Sequence, residues 1–171
     1  NNLGIVGLGD VTATNAANNF STVNISGAKN VSLRDTNAIT LGNGASNLTG
    51  NLTVRSGGNV TLANSVTTTG GDITLAGTNF VNNAGSGALS ASGRWLVYAN
   101  NHTANTFGGL DSANQAVWGT AALAAVAASG NRYVFANSPT LTVTSNNQSK
   151  TYGQDGAPIV ATAFTGSGFI N

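Results

Sequence analysis

The triplet Leu52-Thr53-Val54 returns as Ile73-Thr74-Leu75 after 21 positions, and Val31-Ser32-Leu33 precedes it by the same step. A second column runs Ile39, Val60, Val81 at that spacing, and a third runs Phe20, Leu41, Leu62. Apolar–polar–apolar triplets mark short strands with one face buried. Turn residues keep the same beat: Asn30, Asn51 and Asp72 precede the first column, and Asn43 is followed by Asn64. Asx residues suit corners because they tolerate left-handed backbone angles and bond locally through their side chains. A unit of about 20 residues holding two or three short strands is too small to bury its own apolar face, so such units stack. The period of 2 argues against helical repeats. The chain therefore reads as all-β: a right-handed parallel β-helix, about 21 residues per coil, with a C-terminal cap containing a short helix.

Coils about 4.8 Å apart place each column in direct contact. Val31, Leu52 and Ile73 should stack inward, as should Leu33, Val54 and Leu75, while Ser32, Thr53 and Thr74 face out. Asn30 and Asn51 should form a side-chain ladder that Asp72 ends. Arg34 and Arg55 share a column, an unfavourable pairing of like charges unless they splay apart or Asp35 screens them. The pair reads as an anion or glycan contact, or more simply as two solvated arginines.

Composition limits the remaining chemistry. Apolar residues make up 40% of the 171, enough to build a core. Charged residues are 6%, against roughly 25% in ordinary soluble domains. Net charge is +1, so no nucleic-acid partner is expected. The chain has no Cys, which removes disulfides, thiolate metal sites and a cysteine nucleophile, and suits an exported protein. No apolar run reaches the roughly 20 residues that span a bilayer. The chain opens without a signal peptide, so a secreted protein would be an excerpt from a longer precursor.

The pattern changes after Gly93. Arg94-Trp95-Leu96-Val97-Tyr98-Ala99 and Arg132-Tyr133-Val134-Phe135-Ala136 resemble each other as strands. Between them, Thr120 to Asn131 is rich in alanine, the best helix former, with Thr120 able to cap one end and Gly130 the other. The organisation expected is therefore coils over 1–93, then a terminal coil and cap over 94–138 with a helix near 120–129. His102, Asp111 and Ser112 could be imagined as a triad, but no Gly-x-Ser-x-Gly elbow accompanies them. A His in a loop is ordinarily solvated.

Three stretches, GRWLVYANN (93–101), FGGLDSANQAVWG (107–119) and GNRYVFANSPTLTVTSNNQSKTYGQDG (130–156), follow the Asn/Gly/Thr-rich repeat. Together they resemble the filamentous-haemagglutinin-like two-partner-secretion exoproteins of Gram-negative bacteria, at the junction of solenoid and MBG/YDG-type domains. SKTYGQDGAP (149–158), with Tyr152-Gly153, resembles the opening of one such domain, so the resemblance implies the start of an MBG/YDG-like β-domain over 139–171, cut off at Asn171. The resemblance implies a secreted or cell-surface adhesin, exported through an outer-membrane pore partner and active in adhesion, aggregation and biofilm formation. Host or bacterial surface glycans or proteins, and self-association into fibres, are the partners it implies.

The expectation is a structural and adhesive module, not an enzyme, with no catalytic, cofactor or metal residues and no cofactor. A polysaccharide-active β-helix enzyme is the alternative, but Asp10, Asp35, Asp72, Asp111 and Asp155 are scattered and do not pair by coil geometry. An ice-binding solenoid is the other, with Ser32, Thr53 and Thr74 as one rank and Thr40 and Thr61 as a second lapsing at Asn82. Gly70-Gly71-Asp72 occurs once, unlike a recurring calcium-binding turn.

Overall fold

The structure, a computed structural model, describes residues 1–140, 142–146, 152, 153 and 164–167. Strands form where the triplets stand. The first coil holds β1 (Asn2–Val6) and β2 (Val11–Ala13), and the second β3 (Thr22–Ala28) and β4 (Val31–Asp35). Three coils of three strands follow. They are β5 (Ile39–Leu41), β6 (Ser46–Leu48) and β7 (Leu52–Ser56); β8 (Val60–Leu62), β9 (Val66–Thr68) and β10 (Ile73–Ala76); and β11 (Phe80–Asn82), β12 (Leu89–Ala91) and β13 (Trp95–Ala99). The last coil contributes β14 (Ala116–Val117) and β15 (Arg132–Phe135). All these strands pair in parallel, giving a β-solenoid of about six turns, about 21 residues each.

One sheet runs β2-β4-β7-β10-β13-β15-β14. The other begins at β1, which pairs along β3; the first half of β3 then pairs with β5 and its second half with β6. A bulge between Ser26 and Ala28, at Gly27 with φ +79°, divides the two halves. From there, columns β5-β8-β11 and β6-β9-β12 continue separately.

The register aligns Val31, Leu52, Ile73 and Trp95, and beside them Leu33, Val54, Leu75 and Val97. All eight are buried. Burying each aliphatic side chain is worth about 1.5–3 kcal/mol, and no coil reaches that burial without its neighbours.

The Asx ladder explains the glycines at the same corner. The N–H of Asn51 donates to Asn30 Oδ1 (2.9 Å), Asp72 N–H to Asn51 Oδ1 (2.8 Å) and Arg94 N–H to Asp72 Oδ1 (2.8 Å). Asp10 starts the ladder by accepting from Asn30 N–H (3.1 Å), so it is one rung longer than expected. A Cβ at Gly50, Gly71 or Gly93 would lie within 2.0–2.4 Å of the carbonyl or carboxylate oxygen below. The glycine makes room for the side chain that caps the next backbone N–H.

Two expected columns shift. Phe80, not Val81, lies over Val60, and Val81 lies opposite Thr61. Three residues separate Ala76 from Phe80, whereas four separate the paired Arg55 from Val60, so this corner is one residue shorter and the phenyl ring enters the core. Val23, not Phe20, lies opposite Leu41, because the second coil has one corner fewer than the third. Phe20 instead packs half-buried at the corner, its N–H donated to Asp35.

The expected helix near 120–129 does not form; the described residues contain no helix. One turn closes at Ala121–Ala124, Leu123 takes φ +63°, and the chain then runs as a strap across the outer face of the first sheet. Alternate carbonyls face that sheet: Ala124 O accepts from Tyr98 Oη (2.7 Å), and Val126 O (3.1 Å) and Ala128 O accept from the Arg94 guanidinium. Alternation by two is extended geometry. Bonds from a guanidinium, about 1.5–3 kcal/mol each, together with burial of Val126 against Ala76, Leu96, Tyr98 and Val134, outweigh the small per-residue preference of alanine for helix.

Inside the same end, rings replace aliphatic chains. Tyr133 packs on Phe107 (4.6 Å between ring centres) and Trp95 (5.1 Å), and Trp118 stacks on Phe135 (4.8 Å). Asn82 turns inward there, fully satisfied by Gly85 O, Phe107 O and Ala84 N–H.

Residues Pro139–Asn171 form a second unit, in which β16 (Thr142–Ser145) pairs antiparallel with β17 (Phe164–Ser167). Most of the expected domain opening at 149–158 lies outside the described residues. No helix among the described residues is long and apolar enough to cross a membrane.

Candidate functional site

All four arginines of the first unit belong to one sheet or its edge. Arg34 is in β4, Arg55 in β7 and Arg132 in β15, while Arg94 immediately precedes β13. The two at the C-terminal end are held by the fold. Arg94 bridges the strap carbonyls, and Arg132 donates to Ser129 O. The two in the body are not. Arg34 and Arg55 pair in register, both exposed, and neither guanidinium has a hydrogen-bond or ion-pair partner among the described residues.

Asp35 forms no ion pair with them. It turns inward, 2% exposed, and its two oxygens accept the N–H groups of Phe20 and Asn37. The residue paired with it, Ser56, also serves the corner: its hydroxyl donates to Asn37 O and accepts from Gly58 N–H.

The arginines line a depression of about 200 Å³, together with Asp35, Ser56, Ala16, Thr36 and Gly57. A second depression, about 120 Å³, shares Arg55 and Ser56 and reaches Ala122 of the strap. The two make a shallow polar groove along the outer face. Beyond Arg55 the second depression is lined by Ala76, Gly77, Thr78 and Asn100.

Other chemistry-bearing residues are occupied structurally. Asp10 and Asp72 are rungs of the ladder, and Asp111 accepts Ala113 N–H (2.6 Å). His102 meets Trp118 (5.7 Å) and Phe135 (6.3 Å) edge-on. No hydrogen bond joins His102, Asp111 and Ser112. Asp155 lies outside the described residues. Among the described residues no cluster of three or more His or Asp side chains could hold a metal ion.

The Ser/Thr ranks lie on different sheets. Thr12, Ser32, Thr53 and Thr74 align on one, while Thr22, Thr40, Thr61 and Val81 align on the other. The second rank thus ends at Val81 rather than at Asn82.

Two phenols titrate abnormally. Burial pushes Tyr98 up, partly offset by the nearby Arg94 charge, and its hydroxyl pins the strap. Burial also drives Tyr133 far above the usual tyrosine range, with Asp111 adding to the rise, and its hydroxyl donates to Leu110 O (2.7 Å).

The roles of Arg94 and Tyr98 are absent from the repeat arithmetic. The unbroken apolar run Trp95–Ala99, buried throughout, was the available signal that both faces of β13 are covered. No family model, curated protein or solved structure matches the chain.

Proposed function

We propose that the chain is a structural and adhesive segment of a secreted bacterial surface exoprotein, of the filamentous-haemagglutinin-like kind, working by binding rather than by turnover. The observation that carries this reading is the in-register stack: columns locked by burial and by the Asx ladder make a stiff spacer with Thr, Ser and Asn facing out. A rod of this type holds a binding surface away from the cell, and its polar faces offer many weak hydrogen-bond partners.

Self-association into fibres is a further part of the reading. Export through an outer-membrane pore and surface glycans or proteins as partners belong to the same proposal.

Beads coated with the chain test it. Adhesion of coated beads to bacterial or host-cell monolayers well above that of uncoated beads is expected. Adhesion equal to uncoated beads, with release of reducing ends from polysaccharide, would replace this reading with the enzymatic one.

A further inference from the structure

We propose that Arg34 and Arg55 form a two-arginine clamp for the carboxylates of an acidic, uronate-type saccharide lying in the groove. The proposal deepens the adhesive reading by naming a ligand chemistry. It rests on that reading only for the source of the saccharide, since the clamp itself stands on geometry.

Three observations carry it. The first is placement: parallel in-register pairing sets the two residues about one strand spacing, 4.8 Å, apart on the same face. Two guanidinium forks at that separation can share one carboxylate or grip adjacent ones, since the planar fork matches carboxylate geometry. The second is the lack of an ion pair. Like charges opposite each other destabilise a sheet, and Asp35, which lines the same depression, gives its two oxygens to backbone N–H groups of the corner and to neither guanidinium. An incoming carboxylate would relieve a repulsion that the fold leaves standing. The third is the contrast within one sheet. Arg94 and Arg132 have backbone carbonyls to bind, whereas Arg34 and Arg55 have none and open into a groove. The groove is polar and shallow, with Thr36 and Gly57 at its side, and its floor runs lengthwise toward the strap. That shape fits an extended chain of polar rings better than a compact apolar ligand.

The test is titration of the whole chain with oligogalacturonate, followed calorimetrically at low salt. Two reference ligands are its methyl ester, which keeps the rings and loses the charge, and vesicles containing phosphatidylserine. Binding of oligogalacturonate is expected, with affinity about tenfold lower in Arg34→Gln and in Arg55→Gln, the worth of a charge-assisted contact. Arg55→Lys should recover only part of the loss, because the ammonium lacks the fork. Lys29→Gln removes one exposed positive charge elsewhere and should leave affinity unchanged. Both glutamine variants should melt no lower than the parent, since each relieves repulsion, so a loss of binding will not reflect unfolding.

Equal binding of the methyl ester, an equal loss in Lys29→Gln, preferential binding to the vesicles, or no binding of oligogalacturonate would each overturn the clamp. The bead assay separates the two proposals. Adhesion that persists in Arg34→Gln/Arg55→Gln leaves the adhesive reading standing while the clamp fails as its basis.

Discussion

The body of the solenoid and its C-terminal end solve one problem in opposite ways. In the body, each coil is nearly a copy of the one below, so Val31, Leu52 and Ile73 fill equivalent space and the corners repeat a Gly–Asx device. At the end, no further coil among the described residues stacks on β14 and β15. The step from Leu96 to its partner Arg132 is 36 residues. The extra chain supplies β14, which pairs beyond β15, and the strap over the outer face. Rings from Trp95, Phe107, Trp118, Tyr133 and Phe135 fill the interior. Repetition gives strength through neighbours; termination needs bulk and specific hydrogen bonds.

The largest effect should come from breaking the body. Val54→Asp puts an unpaired carboxylate at a fully buried position, a change expected to cost beyond ~5 kcal/mol. Because neighbouring coils depend on one another, circular dichroism should show most β structure lost in a single step. Survival of the parent melting curve would show that residue 54 is not in the core.

Trp95→Ala attacks the end instead, at ~3–5 kcal/mol for emptying a large buried site. Calorimetry should resolve a first transition for the end, ahead of a body melting near its original temperature. A single lowered transition would mean that the two regions are one cooperative unit.

Gly71→Ala sharpens the account of the corner. The new methyl would sit 2.4 Å from Asn51 Oδ1 and 2.8 Å from the Gly50 carbonyl carbon, so the amide must leave its ladder position and the backbone below must shift, at ~1–3 kcal/mol or more. Gly4→Ala, with nothing within 4 Å, serves as the neutral comparison. Equal melting temperatures for the two variants would remove the ladder explanation of the glycine.

Tyr98→Phe should have the smallest effect at neutral pH, ~0.5–1.5 kcal/mol for one hydrogen bond to the strap. The pH dependence is more telling. Tyr98 and Tyr133 are both raised above their unfolded value near 10, so the folded state keeps protons that the unfolded state loses. Their contribution is fully present below pH 10 and is lost as pH rises above it. Urea titrations should show stability falling above pH 10, less steeply in Tyr98→Phe and Tyr133→Phe.

The sequence displayed the body plainly because a repeat carries its own controls. Each inward position is tested three times over, and the rungs Asn30, Asn51 and Asp72 were visible as a column. It misled where one corner dropped a residue and sent Phe80 inward in place of Val81. It misled again over Ala121–Ala128, where intrinsic propensity points to helix while partners distant in sequence, Arg94 and Tyr98, take the carbonyls. The Arg34–Arg55 pairing was readable from the 21-residue step. The inward turn of Asp35, which leaves the pair without an ion-pair partner, depends on the fold of the corner and was not.

In the body of the solenoid, side chains 21 residues apart lie one above the other. Pyrene attached to cysteines at Thr53→Cys and Thr74→Cys measures this directly, since both residues face out and are paired in register. Strong intramolecular excimer emission is expected from that pair, and little from Thr53→Cys with Thr61→Cys, whose residues lie on different sheets. Monomer emission from the first pair, or excimer from the second, would contradict the stack.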